Sequence, residues 1–472
     1  MQNWFDTAPD HRKNGSYRWE QPAGREDVIG MGTADLDYCC PECVKEACLA
    51  VAQENVYNCR KLPDTYFQAV TGWYQRKYSL NLEPDWLSNI PSSIGAIRIA
   101  LSALTCPGDT VIMQSPFFGP LAQAVEGAGC RLAENPMTAK GGVYTLDFDD
   151  FEKKLRQEKP SVFLLVNPHN PTGRVFSQAV LEKLVALYEK YNVKIISNEV
   201  HGLIIYPGKK HIPILCVSAA ARARSVQVTS MSKGFNLMAL PHAIIAIADP
   251  SLREAWHKAA DPFDFYYASN PFSVAAVTKV MDGSADQWLA GVTDYLQKNR
   301  DMDVSFLQRE VPGMTVTVPE GSFLLWIDCS GLNLAHPAEF LLEKARVSVN
   351  DGAAFGNAYG QFIRVNFALT RQKLQEALER IRQALDENRC KSASPQMRLG
   401  PPGKRRFPAL SFLVSPLKAL PIAGKDQNKS RMPFCAPVSK IHLLIQKKEG
   451  VVSPSFFVLG FPFSPTGTPS RG

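Results

Sequence analysis

At 472 residues the chain is too long for one small core, so two domains plus an extension are expected. Its 45% hydrophobic and 21% charged residues describe an ordinary globular protein. The N-terminus, Met1-Gln2-Asn3-Trp4-Phe5-Asp6, lacks a secretory pattern, and no apolar run approaches the roughly 20 residues that cross a bilayer, so a cytoplasmic protein with no membrane partner is expected.

The net charge of +7 is unevenly held. From Lys391 to Gly472 there are 13 Lys/Arg against 2 Asp/Glu, which leaves residues 1–390 at −4. The mildly acidic part has no basic footprint for nucleic acid.

Taken in chain order, residues 1–45 read as an N-terminal segment that contributes to a smaller domain. It contains Cys39-Cys40-Pro41-Glu42-Cys43, with Cys48 beyond. A CxxC without a second ligand pair is weak grounds for a metal, and these read as free thiols at a loop-to-helix junction. The eleven cysteines are scattered and odd in number, which argues against a disulfide framework.

Residues 46–285 alternate β-rich runs with helical patterns, as an α/β domain with a mostly parallel sheet does. The strand candidates are 110–113, 161–166, 193–196, 225–228 and 243–247. Their near-continuous apolar character suits strands covered on both faces. Between them, Val180, Leu181, Leu184, Leu187 and Tyr188 predict a helix over 178–191. Residues 286–390 read as a smaller α+β domain: a long helix over 287–311, strands near 314–318, 323–328 and 362–367, and a last helix from Arg371 to about Asn388. Residues 391–472 hold 12 of the 34 prolines with little periodicity, and read as a disordered basic tail.

Four short segments, each following a strand or lying in one, carry the chemistry. Asn167-Pro168-His169-Asn170-Pro171-Thr172-Gly173 lies where open α/β sheets bind ligands, although a plain Pro/Gly turn reads equally well. Ser197-Asn198-Glu199-Val200-His201 ends the next strand and could meet a cofactor ring or merely cap a helix. In Thr229-Ser230-Met231-Ser232-Lys233-Gly234-Phe235-Asn236, an amine flanked by hydroxyls suits a phosphorylated carbonyl cofactor. The same letters satisfy SxxK of penicillin-binding enzymes, but the SDN and KTG partners of that pattern are absent. Arg364, set between apolar residues of a strand, is costly to bury without an anion. It suits a substrate carboxylate, with a structural salt bridge as the commoner reading for such a residue alone.

In this order the segments resemble the class I/II aminotransferase superfamily of fold-type I pyridoxal-phosphate (PLP) enzymes, over roughly residues 1–390. Together with Ala34-Asp35-Leu36-Asp37-Tyr38, they are most similar to the MalY/PatB branch of C–S β-lyases, often described as cystathionine β-lyases. The resemblance implies a homodimer of the aspartate-aminotransferase-like fold, PLP as cofactor and a small amino-acid substrate. Lys233 is then the Schiff-base lysine and proton shuttle. Asn170 and His201 lie by the ring's phenolic oxygen, and Phe118 stacks on the ring. Gly95, Ala96 and Ile97 offer backbone N–H groups to the phosphate, Ser230 and Ser232 add hydroxyls, and Tyr57 reaches the phosphate of the neighbouring subunit. Arg364 binds the substrate α-carboxylate.

The sequence departs from this pattern at Asn198, where the family places an aspartate that keeps the pyridine nitrogen protonated. Asparagine supplies no charge, so cofactor binding is expected to survive and catalysis to weaken. Phe118 also stands in place of the usual tyrosine. The expected activity is β-elimination from cystathionine or related cysteine conjugates, giving pyruvate, ammonia and a thiol. An aminotransferase, and a PLP-binding regulatory protein with little turnover, are the alternatives.

Overall fold

The computed structural model describes residues 4–20, 25–263 and 269–393; the proline-rich tail expected from residue 391 falls beyond them save for its first three residues. A seven-stranded sheet is built from β1 (Leu87–Ile90), β2 (Thr110–Ser115), β3 (Arg131–Pro136), β4 (Val162–Val166), β5 (Lys194–Asn198), β6 (Ser225–Thr229) and β7 (Ala243–Ala246). Their spatial order is β1-β7-β6-β5-β4-β2-β3. The pairs from β6 through β3 are parallel, and β7 runs antiparallel to both β6 and β1.

The apolar runs explain why these segments are strands. In β4, Val162, Leu164 and Val166 enter one core while Phe163 and Leu165 enter the other, so both faces are covered and all five residues are buried. Burying each such side chain contributes about 1.5–3 kcal/mol. The helix Gln178–Tyr191 forms over the residues its periodicity predicts. The Ser177 hydroxyl accepts the Val180 N–H at its start, and left-handed Asn192 ends it.

A second sheet, antiparallel, comprises β8 (Thr315–Thr317), β9 (Leu324–Asp328), β10 (Asn350–Asp351) and β11 (Phe362–Asn366) in the order β8-β9-β11-β10. The helices Asp286–Glu310 and Arg371–Ala393 pack against each other beside it. The N-terminal segment joins this region: Ile29–Gly30 pairs in parallel with Val347–Ser348, and Met31 accepts the Asn366 N–H at 2.8 Å.

Cys39, Cys40, Cys43 and Cys48 lie around the start of helix Glu42–Glu54 as free thiols. Burial raises the pKa values of the last three, and no cluster suited to a metal ion occurs among the described residues. No helix among those residues is long and apolar enough to cross a membrane.

Candidate active site

The parallel strands deliver their C-terminal ends side by side, with Val166 paired to Asn198 and Asn198 to Val228. The segments that follow β4, β5 and β6 carry Asn170, His201 and Lys233. The Asn167–Gly173 turn is fixed by Gly173, at φ +68°, where an added Cβ would lie 2.3 Å from Pro319. Gly234, next to the lysine, is similarly closed in by Leu203.

Lys233 donates from Nζ to the Ala34 carbonyl at 2.6 Å, a contact spanning 199 residues. Burial pulls its pKa down to about 8, opposed by the charge of Asp35 and assisted by that of Arg364. One buried oxygen of Asp35 has no hydrogen-bond partner among the described residues.

Arg364 projects from β11 and is 3% exposed. It donates to Asn170 Oδ1 (3.1 Å), the Gly32 carbonyl (3.1 Å) and Asn350 Oδ1 (2.6 Å), while its Nε is buried without a partner. These partners are neutral oxygens, and no carboxylate among the described residues pairs with it. The commoner sequence reading, a structural salt bridge, is therefore overturned. Burial pushes its pKa down to about 9, so the group stays charged at neutral pH. The guanidinium carbon lies 4.9 Å from the Phe355 ring centre and 5.9 Å from that of Phe118. An uncompensated buried cation of this kind calls for an anion.

His201 is buried, and its Nδ1 lies 2.8 Å from Ser322 Oγ. Burial, then the charges of Lys233 and Arg364, hold its pKa well below the ordinary value, so the ring is neutral. Ser322 itself sits at φ +68°, uncommon for a residue with a side chain, and its carbonyl accepts the Tyr206 hydroxyl.

Asn198 is 6% exposed. Its Oδ1 accepts the Val200 N–H at 3.4 Å, and Nδ2 has no partner among the described residues. Turning the amide over would set N–H against N–H and leave the Val200 donor without this acceptor. The neighbouring carboxylate, Glu199, is fully engaged: Oε1 accepts the Ser197 hydroxyl and the Ile214 N–H, both at 2.8 Å, and Oε2 faces His211 Nε2 at 3.2 Å.

Two sequence expectations change. Ser230 Oγ gives its one proton to the His242 carbonyl (2.7 Å) and accepts the Ser232 N–H (3.2 Å), with Ser232 Oγ 2.9 Å away. It therefore has no proton left for a phosphate, and it positions Ser232, which does. The helix after Ser92 begins at Ser93, so Ala96 N–H is bonded to the Ser92 carbonyl (2.8 Å) and Ile97 N–H lies inside the helix. The opening turn leaves Ser93, Ile94 and, by exchange with the Ser92 hydroxyl 3.1 Å away, Gly95. Tyr57, expected to serve a neighbouring subunit, is 56% exposed and stacks on Phe272 (ring centres 5.8 Å apart).

Ala34, Gly32, Asn350 and Ser322 were missed as site residues. The first two act through backbone carbonyls that no side-chain pattern announces, although the neighbouring Ala34–Tyr38 string drew notice. Asn350 and Ser322 stand in no motif.

A family model of class I and II aminotransferases matches residues 26–381. The cystathionine beta-lyase PatB of Bacillus subtilis is 31% identical over 386 residues, covering 81% of this chain and 99% of its own. Cystalysin from Treponema denticola, whose crystal structure contains pyridoxal 5'-phosphate, is 26% identical with a TM-score of 0.78, and the match covers 81% of this chain and 99% of that one. The PLP-bound C-S lyase from Staphylococcus hominis gives 26% and 0.75, covering 81% and 97%. With that match spanning both sheets and every segment of the site, the chain belongs to the class I and II aminotransferase family.

Proposed function

We propose that the protein is a PLP-dependent C–S β-lyase that cleaves L-cystathionine or related cysteine S-conjugates to pyruvate, ammonia and a thiol. The observation that carries this reading is the cation pair Lys233 and Arg364, of which Arg364 is buried with no carboxylate partner among the described residues. Lys233 hydrogen-bonds the Ala34 carbonyl, with the charge of Asp35 acting on it, and Arg364 bonds three neutral oxygens. The residues present fit the cofactor. Lys233 would hold its carbonyl carbon, Ser232 and the N–H groups opening the Ser93–Leu104 helix its phosphate, Phe118 one face of its ring, and Asn170 and His201 its phenolic oxygen. Asn198 would face the ring nitrogen. When bound, the group supplies an electron-withdrawing ring that acidifies the substrate Cα–H.

The chain's own residues do the rest. Arg364 holds the substrate carboxylate by charge and by the unused Nε–H, with Asn170 keeping the guanidinium in plane. Lys233, with its pKa near 8, takes the Cα proton and returns it to the departing sulfur. Asn170 Oδ1 accepts from Arg364, so its Nδ2 is left to donate to the cofactor oxygen.

The protein is further read as a homodimer in which exposed Tyr57 serves the partner's site. The two sheets are read as the centres of a large domain (46–285) and a small one (286–390 with 1–45). The free thiols of Cys39, Cys40, Cys43 and Cys48 suit a reducing, cytoplasmic setting.

The test is a visible spectrum of the purified chain with PLP, before and after L-cystathionine. Lys233→Ala should abolish the band of the lysine-bound cofactor, and pyruvate should form without an oxo-acid acceptor. A band that persists in Lys233→Ala sinks the assignment, and turnover only with an acceptor makes the protein an aminotransferase.

A further inference from the structure

The end of β5 offers the site a hydrogen-bond donor and no charge. Asn198 Oδ1 accepts the Val200 N–H at 3.4 Å, which leaves Nδ2–H as the amide's unengaged group among the described residues. Glu199, one residue on, is turned to Ser197, Ile214 and His211 and cannot serve in its place. The other ionisable groups that bear on this site are Lys233 and Arg364, both cationic, the neutral His201, and Asp35, whose charge acts on Lys233.

We propose that Asn198 donates Nδ2–H to the ring nitrogen of bound PLP and holds that nitrogen unprotonated, which favours elimination over amino transfer and, among cysteine conjugates, those with readily departing thiols. The proposal rests on the cofactor reading above. An amide N–H can donate only to a lone pair, and a protonated ring nitrogen would face it donor to donor, with Lys233 and Arg364 adding repulsion. An aspartate would do the reverse, accepting from a protonated nitrogen.

The consequence is chemical selectivity. An unprotonated ring withdraws less charge, so removal of the Cα proton by Lys233 is slower. Loss of a thiolate from Cβ discharges the developing negative charge at once, with the C–S pair leaving on sulfur and the Lys233 proton neutralising it. Amino transfer has no such outlet and must hold the charge until a proton returns elsewhere. Elimination therefore survives the weak ring better than amino transfer does. Aryl-thiol conjugates, whose thiols are acidic leaving groups, should outpace alkyl thioethers by a wider margin here than in the Asn198→Asp variant.

The experiment reconstitutes the full chain with ring-15N-labelled PLP and reads the nitrogen shift by NMR across the neutral pH range. The expected result is the shift of an unprotonated pyridine throughout, moving to that of a pyridinium in Asn198→Asp. That variant should also eliminate faster, as the protonated ring withdraws more charge. A pyridinium shift in the unaltered chain, with the cofactor on Lys233, overturns the proposal alone. Borohydride reduction followed by mass analysis separates this from the other failure: no cofactor on the Lys233 peptide overturns the function reading and the proposal together.

Discussion

The two ends of the site handle charge in opposite ways. At one end, the hydrogen-bond partners of Lys233 and Arg364 are neutral, the Ala34 and Gly32 carbonyls and the amide oxygens of Asn170 and Asn350, with the charge of Asp35 bearing on the lysine. At the other, a carboxylate is present in Glu199 but is saturated by Ser197, Ile214 and His211, and the residue beside it at the end of β5 is the neutral Asn198. Neutral partners orient a charged group without spending its charge, so Arg364 keeps its full electrostatic demand for a ligand. The second end has removed its charge from play. Binding and chemical drive are therefore set by different residues and can be altered separately.

The largest effect should come from breaking the cationic end. Arg364→Ala removes a buried charge that is proposed to meet the substrate carboxylate, a loss of about 2–5 kcal/mol. In steady-state assays, kcat/KM should fall by roughly one and a half to three and a half orders of magnitude, while the spectrum of the lysine-bound cofactor persists. Loss of that spectrum would mean that Arg364 serves the fold or the cofactor instead.

A smaller effect should come from a buried carboxyl with no ligand to meet. Asp303, on the helix Asp286–Glu310, has both carboxyl oxygens buried without partners among the described residues, and burial raises its pKa well above the ordinary value. A pKa raised in the folded state makes the folded protein bind a proton the unfolded chain has released. Stability is thus present at low pH and is lost as pH climbs from the ordinary carboxylate value toward the folded one, by about 1.4 kcal/mol per unit. Asp303→Asn should raise the melting temperature, more in alkaline than in acidic buffer. An equal shift at both would show that the carboxyl is not protonated in the fold.

The smallest effect tunes the cationic end. Asp35 raises the pKa of Lys233 against burial, which sets it at about 8. Attachment of PLP to the bare protein needs the neutral amine, so its rate should rise with pH through about 8. Asp35→Asn should move that midpoint downward, and an upward move would contradict the role given to Asp35.

Much of this was legible in the sequence because it is local. The apolar runs of β4 to β7 need both faces covered, and Lys233, Asn170 and Asn198 follow such strands directly. The strands β1 (Leu-Ser-Asn-Ile) and β3 (Arg-Leu-Ala-Glu-Asn-Pro) were not singled out, since edge strands are half exposed and carry polar residues. Arg364 was found as an oddity within an apolar strand, but its lack of an acidic partner depends on Gly32, Asn170 and Asn350, which only the tertiary fold collects. Ser230 misled because a hydroxyl's single proton goes to whichever acceptor is nearest, here the His242 carbonyl.

The N-terminal segment has one more consequence, for synthesis on the ribosome. Gly32 meets Arg364 across 332 residues, Asn366 meets the carbonyls of Thr33 and Asp35, and Tyr38 donates to the Leu369 carbonyl. A growing chain finishes the seven strands of its large sheet by Ala246 and has made Lys233 before that, yet the residues that seat the first forty wait on the last strand. The earliest part of the protein to be made is among the last to find its place, so a chain arrested before residue 362 holds its lysine without the arginine that would give it a substrate.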